Sequence, residues 1–214
     1  MRKVIYTAIC GSYDQLKLPT QVTEGWDYVC FTDQPDITSD LWKIRQIDSK
    51  AFGTTKTARY VKINNELFLD YDLSIWIDGN FEIRCDLDAF VDAFHKGNFS
   101  LMSHGRSCTY HEAQACITYN KDGADTIRGQ MSGYRSEGFP ENFGMVATGL
   151  IIRDHGHKEI VNFTQKWWEQ VRTCSKRDQL SFNYTLWKNP IDVNVMDFDN
   201  IVTNYFDWQN HTHQ

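Results

Sequence analysis

The sequence predicts an α/β protein built on one mostly parallel, mixed sheet flanked by helices. Three observations carry this. Short β-rich apolar runs alternate with stretches of helical periodicity, the pattern of strand–crossover–strand units. No internal repeat or low-complexity linker divides the 214 residues, a length that suits one large domain. Several expected strands also end in short polar turns, and open α/β sheets bind ligands beyond the carboxyl ends of their strands.

In chain order, residues 3–9 and 27–32 read as strands, and 42–47 as a third, half-exposed one. Residues 57–70 turn helical, with Tyr60, Ile63 and Leu67 on an apolar stripe and Arg59, Lys62 and Glu66 on a polar one. A buried strand over 73–77 stops at Asp78-Gly79-Asn80. Asp86 is a natural N-cap for a helix carrying Leu87, Phe90, Val91 and Phe94. Residues 99–103 read as strand, and 109–137 as a helix interrupted at its glycines. Residues 145–153 return to strand. An amphipathic helix with Ile160, Phe163, Trp167 and Val171 on one face follows, then a short helix from about Ser175. The chain is read as one domain, with halves over about 1–100 and about 101–214.

Composition narrows the function classes. Hydrophobic residues make up 41% of the chain and charged residues 23%, enough for a sizeable core. A net charge of −6 without any basic run argues against a nucleic-acid partner. Nowhere do about 18 apolar residues run together, so no membrane span is expected. The apolar run after Met1-Arg2-Lys3 is too short for a secretory signal. The six cysteines lack any C-x-x-C pair and read as buried free thiols, consistent with a soluble, cytoplasmic protein. On that reading the N-x-S/T triplets at Asn98, Asn162, Asn183 and Asn210 are chance matches.

Four constellations carry candidate chemistry. Asp78 and Asn80, two residues apart with Gly79 between, can both offer oxygen to a hard cation such as Mn²⁺ or Mg²⁺. The same turn serves equally as an Asx turn closing the strand. Arg59 and Lys62 project from one helical face, either toward a diphosphate or into solvent. Arg177, Asp178 and Gln179 gather a cation, a carboxylate and an amide at a helix start, where an acid also compensates the helix dipole. Asp154 with His155 and His157, and His211 with His213, are His-rich pieces; no cysteine completes a zinc site.

Taken in order, these pieces resemble a known family. Tyr6-Thr7-Ala8-Ile9-Cys10-Gly11-Ser12-Tyr13-Asp14, Tyr28-Val29-Cys30-Phe31-Thr32-Asp33, Trp76-Ile77-Asp78-Gly79-Asn80, the segment from His104 to Ala113 and the segment from Ser175 to Tyr184 are similar to bacterial, plant and viral domains long catalogued as of unknown function and grouped with GT-A glycosyltransferases. Within that group the sequence looks most like the N-terminal glycosyltransferase domain of a chlorella-virus protein. The resemblance implies a Rossmann-like GT-A domain, compatible with fusion to further domains in a longer natural chain.

The resemblance also implies a nucleotide-sugar donor, a UDP-sugar, and a glycan or glycoprotein acceptor. Ile9, Gly11, Tyr13, Thr32 and Asp33 would then hold the base and ribose, with Arg59, Lys62, Asp78 and Gly79 at the diphosphate. His104, Arg106, Gly149, Arg177 and Gln179 would meet the sugar substrates. The family's D-x-D position falls on Asp78-Gly79-Asn80, with Asn80 the weaker ligand and His211 the expected third one. For an inverting transfer a carboxylate must deprotonate the acceptor hydroxyl, and Asp178 is the expected base, with Asp154 behind it. A sugar nucleotidyltransferase and a non-catalytic carbohydrate-binding module are the alternatives; the absence of a Gly-rich first loop counts against the former.

Overall fold

The computed structural model describes residues 1–68 and 70–211. A seven-stranded sheet in the order β3-β2-β1-β4-β7-β6-β8 runs through both halves of the chain. Its strands are β1 (Lys3–Ile9), β2 (Trp26–Thr32), β3 (Lys43–Gln46), β4 (Leu73–Ile77), β6 (Phe99–Ser103), β7 (Val146–Asp154) and β8 (Asn194–Met196). A second, two-stranded sheet pairs β5 (Phe81–Ile83) with β9 (Phe206–Trp208) in antiparallel register. The expected α/β class holds. β1 lies parallel to β2 and β4, and β2 to β3, whereas β7 runs antiparallel to both its neighbours.

Apolar side chains on both faces of β1 and β4 explain their place at the centre. Val4 and Tyr6 enter one buried cluster with Trp76, and Ile5 and Ile9 enter the other with Ile75 and Ile77. Helices α1 (Gly53–Ile63), α5 (Lys158–Thr173) and α6 (Gln179–Lys188) cover the first face, and α2 (Leu87–Phe94) and α7 (Phe198–Asn204) the second. A third cluster joins α3 (Thr109–Thr118) and α4 (Ala124–Ser136) to α6, centred on Tyr134 and Tyr184 stacked 3.7 Å apart.

Several boundaries differ from the sequence expectation. The helix expected over 57–70 starts at Gly53 and ends at Ile63, and a short 3₁₀ turn, Asn65–Phe68, follows. The long interrupted helix is two helices, broken where Asn120 takes a positive φ of 50°. The short helix begins at Gln179 rather than near Ser175. Asp86 caps α2 as expected, accepting from the Ala89 amide. None of the six cysteines is in a disulfide, and five of them are buried. Burial pushes the thiols of Cys10, Cys30 and Cys85 up to about 12. Among the described residues no helix is long and apolar enough to cross a membrane.

Candidate active site at the carboxyl ends of β1 and β4

The buried strand β4 delivers Asp78 to the sheet edge, where its amide donates to the Gly149 carbonyl at 2.8 Å. One carboxylate oxygen, Oδ1, accepts from Trp76 Nε1 at 2.9 Å and from Lys62 Nζ at 3.3 Å, and lies 3.5 Å from Arg59 Nη1. Asp178 stands across the same two cations. Its Oδ1 is 3.0 Å from Arg59 Nε, and its Oδ2 is 2.7 Å from Lys62 Nζ and 2.8 Å from the donating Thr148 hydroxyl. Two carboxylates and two cations thus form a quartet in which Lys62 and Asp178 are buried, 0% and 2% exposed, and Arg59 and Asp78 are half-buried.

Backbone contacts lock this quartet. The Lys62 carbonyl accepts from the guanidinium of fully buried Arg153 and from the Tyr6 hydroxyl, which fixes the end of α1. The Asp178 carbonyl accepts from Trp167 Nε1 and the Ser181 hydroxyl. Upstream, the Asp122 carboxylate accepts from the Ser175 hydroxyl and the Lys176 amide, ordering the loop into Arg177 and Asp178. The Asp178 side chain makes no cap bond to its own helix. Burial alone would raise its carboxyl, but Arg59, Lys62 and the two hydrogen bonds outweigh it and hold the group well below the usual carboxylate range. The Arg59–Lys62 stripe is therefore interior, not a solvated face.

Two chambers meet at this quartet. The first, 180 Å³, opens over Ile9, Gly11, Tyr13 and Gly79 and is walled by Arg59, Lys121, Lys176 and Arg177. Gly11 has a φ of +66°, and a Cβ there would fall 2.7 Å from Thr54 Cγ2, so only glycine lets the β1 loop approach the start of α1. The second, 160 Å³, is lined by Asp78, Asn80, Thr148, Gly149, Asp178 and Gln179, with Phe198 and Trp208. Arg59, Asp78, Arg177 and His211 border both. Among the described residues no carboxylate lies within ion-pairing distance of Lys121, Lys176 or Arg177, so the first chamber keeps an excess of positive charge.

Sequence reasoning named some of the residues that line the two chambers and passed over others. Lys121 and Lys176 come from loops with no local signal, and Thr54 and Thr55 precede the expected helix. Thr32 and Asp33 lie beside the chambers rather than in them, with Asp33 Oδ1 accepting from the Gly11 amide at 2.9 Å. His104 and Arg106 line neither chamber; Arg106 pairs with the buried Glu112 at 2.6 Å. Asp154 is a correction. Because β7 runs antiparallel, Asp154 pairs with Leu73 at the start of β4, at the opposite sheet edge from Asp78, and it faces His95 there. His155 lies at the same far edge, bonded to the Ser74 hydroxyl. His213 lies outside the described residues.

Among the described residues no three His, Cys, Asp or Glu side chains cluster as a metal site. Asp78, Asn80 and His211 nonetheless all border the second chamber. Asp78 Oδ2 makes no hydrogen bond among the described residues and lies toward Gly149, where an added Cβ would fall 3.6 Å away. Asn80, 3% exposed, leaves Oδ1 buried without a hydrogen-bond partner among the described residues. His211 Nδ1 lies 2.9 Å from Asp14 Oδ2, and facing a carboxylate it is the donor, which keeps the Nε2 lone pair available. The two oxygen donors suit Mn²⁺ or Mg²⁺, and an imidazole nitrogen beside them favours a transition ion over Mg²⁺.

A family model described as "TOD1/MUCI70, glycosyltransferase-like domain" matches residues 31–211. The chain belongs to this family. Its fold is GT-A-like: the apo structure of the bifunctional glycosyltransferase WbbM superposes with a TM-score of 0.51 at 11% identity, over 90% of this chain. The chain spans 38% of that structure, and at such identity the likeness speaks for the fold alone. No curated protein matches in sequence. For this TOD1/MUCI70-type domain, the quartet and its two chambers occupy the carboxyl ends of the sheet, where open α/β folds bind ligands.

Proposed function

We propose that this TOD1/MUCI70-type domain transfers a sugar from a nucleoside diphosphate donor, a UDP-sugar, to a glycan hydroxyl with help from Mn²⁺ or Mg²⁺. The observation that carries the reading is the first chamber's wall of Arg59, Lys121, Lys176 and Arg177, meeting a strand-end Asp78. Negative charge grows on the diphosphate as the glycosidic bond breaks, and fixed cations there stabilise the transition state more than the ground state. Tyr13, 47% exposed and tilted by 48° against the His211 ring at 4.6 Å, offers a face to the base.

Asp78, Asn80 and His211 would hold the cation, which would neutralise the diphosphate and polarise it as a leaving group. Asp178 acts as a positioning residue. A general base needs an accessible oxygen and a pKa near the working pH, whereas both Asp178 oxygens are engaged and its carboxyl stays ionised. It aims Arg59 and holds Lys62 behind Asp78. Gln179 and Arg177, bonded to each other at 3.1 Å, border the chamber where the transferred sugar would lie.

Calorimetry with UDP in Mn²⁺ tests the reading. UDP should bind, UMP should bind more weakly, and Lys176→Ala combined with Lys121→Ala should weaken UDP about tenfold or more while changing UMP less. Equal affinities for UDP and UMP would remove the diphosphate from the first chamber.

A further inference from the structure

Of the seven tryptophans, Trp26, Trp42, Trp76, Trp167 and Trp168 are buried and Trp187 is half-buried, but Trp208 is 54% exposed. It borders the second chamber and packs on Phe198 at 5.6 Å, with their planes 80° apart. Its strand is not loosely held. β9 pairs with β5 through Phe81↔Trp208, and Gln209 bonds back to Asn80. A rigidly presented, half-exposed indole at a chamber mouth forgoes the burial the other tryptophans gain and turns an aromatic face toward whatever enters the chamber.

We propose that Trp208, backed by Phe198, is the platform on which the acceptor sugar lies; this rests on the sugar-transfer reading above. The rest of the chamber mixes polar Asn80, Asp178, Gln179 and Arg177 with apolar Phe81, Met102 and Ala147. One aromatic face beside such hydrogen-bonding groups fits a pyranose ring, which carries an apolar CH face and a hydroxyl edge. A lipid chain would match only the apolar part of this lining, whereas a sugar's hydroxyls can meet its polar part. A nucleotide would instead be drawn to the cations of the first chamber.

The test uses the whole chain with methyl glucosides, methyl galactosides and their disaccharides as probes. Binding is followed by saturation-transfer NMR and by tryptophan fluorescence, and UDP affinity is measured separately by calorimetry. Glycosides should bind the native protein with saturation reaching the CH protons of one ring face. Trp208→Ala should weaken them about tenfold or more, and Trp208→Phe should restore most of the loss, with UDP affinity the same in all three. Unchanged glycoside binding in Trp208→Ala, or no glycoside binding by the native protein, overturns the platform. Failure to bind UDP would sink the donor reading alone, since the glycoside titrations are read without it.

Discussion

Asn80 and Gln209 are bonded to each other twice. The Gln209 amide donates to the Asn80 carbonyl at 3.0 Å, and the Asn80 side-chain amide donates to the Gln209 carbonyl at 2.8 Å. The second bond requires an N–H on residue 80, which a carboxylate lacks. Asn80 is therefore a latch that ties the segment carrying His211 to the strand-end turn, and its Oδ1 has no hydrogen-bond partner among the described residues.

Asn80→Asp should then have two effects of opposite sign. Losing the latch and setting a carboxylate against the Gln209 carbonyl should cost about 1–3 kcal/mol without metal, a Tm drop of roughly 2–12 °C for a chain of this size. The added charge should make Mn²⁺ restore more of the Tm than it does in the native protein. Scanning calorimetry with and without Mn²⁺ reads both; an unchanged metal-free Tm would show that the side-chain bond carries nothing.

Asp178→Asn separates a positioning role from a base. The substitution keeps the shape but leaves Lys62, 0% exposed, with one carboxylate fewer. Breaking a buried pair costs about 3–5 kcal/mol, or on the order of 10 °C in Tm. UDP affinity should fall as well, because Arg59 loses its guide. A base would behave otherwise, with affinity and Tm kept and turnover alone lost.

How much of this was legible follows from how local each signal is. The strand-end Asp78-Gly79-Asn80 turn was readable because an apolar run stopping at a polar glycine turn is a local pattern. Asp154 misled because a strand's sequence carries its burial but not its direction, and β7 runs against its neighbours. Lys62 could face a diphosphate or solvent because its periodicity alone fits either; only the opposing Asp178, 116 positions later, turns it inward. Lys121, Lys176 and Asp122 sit in loops whose meeting is purely tertiary. The β5–β9 pair was not seen because two three-residue strands give no periodicity.

His155 sets an acid limit on stability away from the site. Burial and nearby Arg153 pull its imidazole down to about 4. An unfolded histidine titrates near 6.5, so the unfolded state binds more protons between those values. Stability is fully present above about pH 6.5 and falls as pH drops toward 4. Asp178 acts in the same direction lower down: its contribution is present above the unfolded carboxyl's pKa near 3.9 and is lost below it. Tm measured from pH 7.5 to 4.5 should decline in the native protein and decline less in His155→Gln. Parallel profiles would show that His155 is not the group responsible.

Asp14 and His211 give the cation reading its sharpest test. The 2.9 Å contact to Asp14 fixes which ring nitrogen carries the proton, and the Tyr13 ring at 4.6 Å limits rotation of the imidazole. A carboxylate behind a ligating histidine raises its basicity and holds its orientation, and losing such a partner costs roughly 10–100-fold in metal affinity. Asp14→Asn keeps a hydrogen-bond acceptor but removes the charge, so Mn²⁺ affinity in the presence of UDP should fall toward the lower end of that range, about tenfold. His211→Ala should lose more, and Asp78→Ala more still, since it removes the only charged ligand. Mn²⁺ titrations followed by the EPR signal of the free ion report this without any turnover. Equal Mn²⁺ affinity in native protein, Asp14→Asn and His211→Ala would take His211 out of the ligand set, leaving Asp78 and Asn80 to be completed by the donor's own diphosphate oxygens.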